Sequence, residues 1–338
     1  MRPDDRFDDI VASLSGFYRS WLVYLGLELG LFEHLRNAGR AGLTPAELAS
    51  TASLDRSAVE AWAWAAEVHE LCDVDRAGRL SIADDLAAVL LDDARPEFLG
   101  GQVRHAIVST LDWDQMPSFF RTGQPFAQRP ARHREAIERL TVQDIAVFFQ
   151  DVLGLLPQLV ADLSAGARLL DVHCGGGRWL VAMTRRFPKV TGVGVEFEPD
   201  SVARARATIE AAGLGDRIAI EQGDVAAPGH TGEFDLAYFQ YALHAVSDPP
   251  AALRAAWAAL RPGGRLLILD WPLPSSDEEA HTEYGQLIAG IHLDELLQGT
   301  GLATREQVVD WFRAADLGAP DVLELPSGAT AWLLAKPA

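Results

Sequence analysis

The chain has 338 residues, 49% of them hydrophobic, and a formal net charge of −19. That length fits about two domains of about 100–200 residues each; the charge argues against a nucleic-acid backbone as partner, and no run of about 20 apolar residues is present to span a membrane. The two cysteines, Cys72 and Cys174, are far apart without metal-type spacing, so a reduced compartment is expected, and the acidic start MRPDDRFDD lacks an apolar signal core, so the chain is expected to be cytoplasmic.

Residues 10–35 carry apolar side chains around much of a helix, a pattern that predicts burial, often against another subunit. A capped helix at Thr44–Ala49, a second helix from Asp55 and a hairpin turning at Ala77-Gly78 follow. Helix, turn, helix, hairpin is winged-helix-like. Such modules often bind DNA, yet residues 1–100 hold nine arginines, no lysine and eighteen acidic residues. Dimerisation and a lid over a substrate are therefore expected of residues 1–100, with no nucleic acid. Residues 101–165 read as helical, a linker and pocket segment broken at RTGQPFAQRP.

From 166 to 338 strands and helices alternate. RLLDV, VTGVGVEF, RIAIEQGD, FDLAYFQYAL and RLLILDW read as strands, with helices between most of them, and the tail forms two strands around a Ser-Gly turn. This predicts an α/β, Rossmann-like fold with ligands at the carboxyl ends of the strands. The first strand runs into a glycine turn, LLDVHCGGG, residues 169–177. A nicotinamide fingerprint would need G-x-G-x-x-G; Gly175 and Gly177 match, but the third place is Leu180. A second pattern matches throughout: Asp171, Gly175-Gly176-Gly177, Glu196 ending the next strand, Gly223-Asp224 ending the third, and Arg261-Pro-Gly-Gly264 before the fifth.

That series resembles the class I S-adenosylmethionine-dependent methyltransferases over residues 166–338. The resemblance implies S-adenosylmethionine as cofactor, held by Asp171, Gly175, Gly177, Glu196, Phe197, Gly223, Asp224, Val225 and Gln240. The glycines let the backbone approach its amino-acid end, Glu196 accepts from the ribose hydroxyls, Asp224 accepts from the adenine amino group, and Phe197 and Val225 pack on the ring. YLGLELGLFEHL, LTPAELA and RTGQPF extend the resemblance to the small-molecule O-methyltransferases with a dimerising winged-helix domain, which implies a homodimer. His173 departs from the pattern, standing where another glycine is usual, and reads as a tolerated substitution facing solvent or the cofactor carboxylate.

In this family the run after the fourth strand carries a histidine that acts as general base. His244, in QYALHAVSD, occupies that place, but Ala245 and Val246 replace the usual Asp and Trp, so the supports of a base are missing. His292, in GIHLDELLQG, lies on a helix after the fifth strand, and Arg129 follows RTG. Paired histidines with such an arginine resemble the metal-dependent α-keto-acid C-methyltransferases of nonribosomal peptide pathways. The resemblance implies His244 and His292 as ligands of iron or zinc, Arg129 gripping a substrate carboxylate, and methylation at C3 of a small apolar keto acid. Trp113 and Tyr241, with Phe119, Phe120 and Leu296, are expected to line the substrate pocket. The alternative is O-methylation of a phenolic or polyketide hydroxyl with His244 as base; a third reading is a cofactor-binding cyclase or regulator. His105, His133, His230 and His281 read as surface residues.

Overall fold

The computed structural model describes residues 3–126, 129–227 and 229–338. The chain divides into two compact units: Met1–Asp114 with Pro130–Ala146, and Gln115–Arg129 with Val147–Ala338. The stretch 101–165, expected as one segment, is thus shared between them.

In the first unit the apolar stretch 10–35 forms two helices rather than one, Pro3–Glu28 and Leu31–Ala38. Gly30 stands between them at φ 69°, a left-handed conformation that a continuous helix cannot hold. Leu27, Leu31, Phe32 and Leu35 are buried with Leu48, Trp62 and Leu80 in one core. The preceding turns leave Phe7, Ile10, Leu14, Phe17 and Tyr18 exposed. Thr44 and Glu47 exchange reciprocal backbone bonds that start the helix Pro45–Ala52. Asp55 accepts from the Ala58 N–H at 2.9 Å and caps Arg56–Val68. The hairpin β1 (Asp73–Val74) and β2 (Leu80–Ser81) follows, widened by a bridge between Leu43 and Leu80. This is the helix, helix, wing order implied by the sequence. His105 and His133, expected at the surface, are instead buried with rings 5.3 Å apart.

The second unit is built on a seven-stranded sheet. Its strands are β3 (Arg168–Val172), β4 (Thr191–Glu196), β5 (Ile218–Gln222), β6 (Phe234–Gln240), β7 (Leu260–Asp270), β8 (Asp321–Glu324) and β9 (Thr330–Ala335). The order is β5-β4-β3-β6-β7-β9-β8, with β9 antiparallel to both β7 and β8 and the other pairs parallel. The chain steps outward from β3 to β5, then returns to the other side of β3 with β6. That reversal opens a crevice at the carboxyl ends of β3, β4 and β6. The buried run of β3 and β6 agrees with helices on both faces. The fourth strand ends at Gln240, earlier than its apolar run suggests, because Tyr241 turns to φ 50°. The fifth begins earlier than expected and takes in Arg261–Gly264, with a register shift opposite Phe234–Leu236.

Candidate functional site

The glycine turn is tied to the end of β4. The N–H groups of His173 and Cys174 both donate to Val195 O, at 2.9 and 3.1 Å, and the Gly175 N–H donates to Glu196 Oε2 at 3.0 Å. Every second residue is left-handed: His173 at φ 66°, Gly175 at 50°, Gly177 at 70°. Gly177 opens the helix Arg178–Arg186; a Cβ there would make ordinary contact, 3.4 Å from Ala205 Cβ, so the left-handed backbone rather than the space calls for glycine. A Cβ at Gly175 would meet nothing within 4 Å, so this part of the turn borders open space. His173 carries a side chain where the backbone prefers none, at a cost of roughly 1–2 kcal/mol.

Glu196 is almost wholly buried. Its Oε1 accepts from the N–H groups of Phe197 and Glu198, at 2.9 and 3.0 Å. Asp171 is buried beside it; burial first, then the Glu196 charge, pushes the Asp171 carboxyl up to about 8. The same surroundings push the Cys174 thiol well up. Raised this far, the Asp171 carboxyl is protonated near neutral pH and can donate as well as accept a hydrogen bond beneath the open glycine turn. Phe197 is exposed, its ring tilted 5.4 Å from that of His173. The Gly223 N–H donates to Glu196 O at 3.0 Å, joining the ends of β4 and β5. Asp224 is exposed and accepts from the Ala226 N–H at 2.9 Å. Val225, expected on a ligand ring, is instead buried in the core cluster with Val195 and Phe239, because an aliphatic side chain gains more there. Gln240 is half-buried at the end of β6.

Beyond β6, Tyr241 stacks on Trp271 at 5.7 Å, and a short turn, Leu243–Ala245, presents His244. The missing Asp-Trp run does not leave this imidazole unsupported. His244 Nδ1 lies 2.7 Å from Asp270 Oδ2, both side chains buried, with Asp270 supplied by the end of β7. The other oxygen, Oδ1, accepts from the Trp271 N–H at 2.9 Å, so the carboxylate is held at both ends. Burial alone would lower the pKa of His244; the Asp270 charge and hydrogen bond, with Glu295, outweigh it and raise the pKa to about 9. With Nδ1 on the carboxylate, Nε2 is the nitrogen left to exchange a proton. No local sequence pattern marks Asp270; its one signal is that it is an acid ending a strand at the ligand edge of the sheet.

His292 does not fit the expected metal pair. Its Nδ1 accepts from the Leu302 N–H at 3.1 Å, so the neutral ring carries its proton on Nε2 and neither nitrogen offers a lone pair to an ion. Its pKa is lowered by burial, offset by Glu295 and lowered further by His244. Among the described residues no third imidazole, thiolate or carboxylate groups with these two as a metal-binding set. Arg129 likewise departs from expectation. Its Nη1 lies 3.0 Å from Asp294 Oδ1 and both side chains are buried, so its carboxylate partner belongs to the protein. Trp113 lies in the first unit and is partly exposed, and Phe120 is strongly exposed. His230 bridges Glu221 and Glu233, and His281 bonds the Asp277 carbonyl.

Comparison with known proteins gives this geometry a context. A family model described as a methyltransferase domain matches residues 146–319, just over half of the chain. The 27-O-demethylrifamycin SV methyltransferase of Amycolatopsis mediterranei is 33% identical over 168 residues, 47% of this chain and 59% of that protein. The aclacinomycin 10-hydroxylase RdmB of Streptomyces purpurascens is 31% identical over 183 residues, 54% of this chain and 47% of that protein. The chain thus matches about half the length of these curated relatives. Two solved structures share the fold across nearly the whole chain. PigF with SAH has a TM-score of 0.74 at 21% identity, covering 97% of this chain and 98% of that one. The mitomycin 7-O-methyltransferase MmcR has a TM-score of 0.70 at 20% identity, covering 99% and 98%. The chain belongs to the methyltransferase-domain family, on the O-methyltransferase fold.

Proposed function

We propose that the protein is an S-adenosylmethionine-dependent methyltransferase of bacterial secondary metabolism that methylates a hydroxyl oxygen of a small phenolic or polyketide acceptor. The observation that carries this reading is the 2.7 Å contact between His244 and Asp270 at the carboxyl end of the sheet. An imidazole oriented by a buried carboxylate is the arrangement a general base needs, since the carboxylate fixes the tautomer and stabilises the imidazolium formed on proton uptake.

The residues of the glycine turn fit the cofactor. Gly175 borders open space, Glu196 and Asp171 supply buried acceptors, and Phe197 offers an exposed ring. When bound, the cofactor supplies an electrophilic methyl group on a sulfonium. The chain's own work is to hold the acceptor, take its proton on His244 Nε2, and spread the resulting charge onto Asp270. Asp224 follows the end of β5 and Gln240 ends β6, on either side of β4 and β3 at the carboxyl edge of the sheet, where the two ends of such a ligand are reached. Tyr241, stacked on Trp271, offers an aromatic wall near the base.

Methylation at C3 of a keto acid loses two of its supports, because Arg129 is paired with Asp294 and His292 accepts a backbone bond. Transfer from labelled S-adenosylmethionine to a panel of phenols, polyketide hydroxyls and α-keto acids, with and without a chelator, separates the readings. Chelator-insensitive label on oxygen, lost in His244→Ala, is the expected result. Label on carbon that disappears with chelator contradicts it.

A further inference from the structure

His173 holds a conformation that costs a non-glycine residue energy, at the one turn where the fold's ligand approaches the backbone. A tolerated substitution has no reason to keep that strain, since glycine at this position would relieve it. What the side chain gains is visible. Nδ1 lies 3.5 Å from Glu196 Oε2, the oxygen that also receives the Gly175 N–H, and the ring tilts against Phe197 at 5.4 Å. Nε2 makes no hydrogen bond or ion pair to a described residue, and about a quarter of the side chain is open. The imidazole thus lies between the acid, within ion-pair range, and the aromatic ring at the end of β4, with Nε2 left for a ligand.

We infer that His173 is a positioning residue for the cofactor: it fixes Glu196 and Phe197 as one wall of the nucleoside end of the site and presents Nε2 to a ligand oxygen. This rests on the methyltransferase reading above. Glycine at 173 lets the turn relax but removes the brace. Asparagine tolerates the left-handed region and keeps a donor toward Glu196.

The test measures two quantities on full-length wild type, His173→Gly and His173→Asn: the melting temperature without ligand, and S-adenosylhomocysteine affinity by calorimetry. His173→Gly is expected to melt higher than wild type yet bind about tenfold more weakly, with the KM for S-adenosylmethionine raised more than kcat is lowered. His173→Asn is expected to recover most of that affinity. A purely structural residue would move stability and leave affinity alone. His173→Gly binding as tightly as a wild type that does bind overturns this inference and leaves the functional reading standing. A wild type that binds neither S-adenosylmethionine nor S-adenosylhomocysteine overturns both.

Discussion

Arg129 and Asp294 show how far a residue's chemistry depends on its surroundings. A guanidinium after RTG invites a substrate carboxylate, yet the structure closes it onto Asp294 with both groups buried. Arg129→Ala is therefore predicted to act on stability. It leaves a buried carboxylate without this counter-charge, at about 3–5 kcal/mol. A chemical-denaturation midpoint checks this; wild-type stability with only a raised acceptor KM would return Arg129 to the substrate. The same limit governed His244. The residue is legible from its place after the fourth strand, but the next two positions, Ala245 and Val246, carry no carboxylate. Asp270 lies 26 residues further on and is brought in by the pairing of β6 and β7, a relation no local pattern carries. Glu196 and the glycines were legible because each ends a strand or occupies a turn whose backbone demands it.

At the scale of elements, strands and helices of the second unit follow their apolar runs and caps closely, and the misplacements fall where a single backbone angle decides. Gly30 splits an apolar stretch whose composition reads as continuous, and Tyr241 stops β6 within an apolar run. One glycine inside a strand has a function in packing. A Cβ at Gly194 in β4 would stand 2.7 Å from both Cys174 Sγ and Ile220 Cδ1. The bare backbone there is what lets the glycine turn lie against the sheet. Gly194→Ala is predicted to cost about 1–3 kcal/mol by overpacking, read from a urea midpoint. Because the displaced atom belongs to the turn, S-adenosylhomocysteine affinity is expected to fall with it; unchanged stability would show that the turn has slack.

For the molecule as a whole, the first helix poses the clearest question. Phe7, Ile10, Leu14, Phe17 and Tyr18 are exposed at helical spacing along Pro3–Glu28, a run of apolar side chains of the kind that marks an interaction surface. A second copy of the chain is the proposed cover, and light scattering at micromolar protein is predicted to give twice the mass of one chain; a monomer mass would contradict it. The acidic balance of −19 made nucleic acid an unpromising partner, and the winged arrangement of the first unit carries no basic stripe in its sequence to suggest otherwise.

The central claim, that His244 held by Asp270 takes a proton from an acceptor hydroxyl, is tested most directly by the pH dependence of kcat/KM for the best acceptor, in wild type and Asp270→Asn. A base must be neutral to act, and the His244 pKa of about 9 leaves about one ring in a hundred neutral at pH 7. Wild-type kcat/KM is therefore predicted to climb about tenfold per pH unit and level near pH 9. Asp270→Asn removes the charge that raises this pKa, so its rising limb should move to lower pH, with a lower plateau because the tautomer is no longer fixed. A flat wild-type profile across pH 6–9 that Asp270→Asn leaves in place would contradict the account.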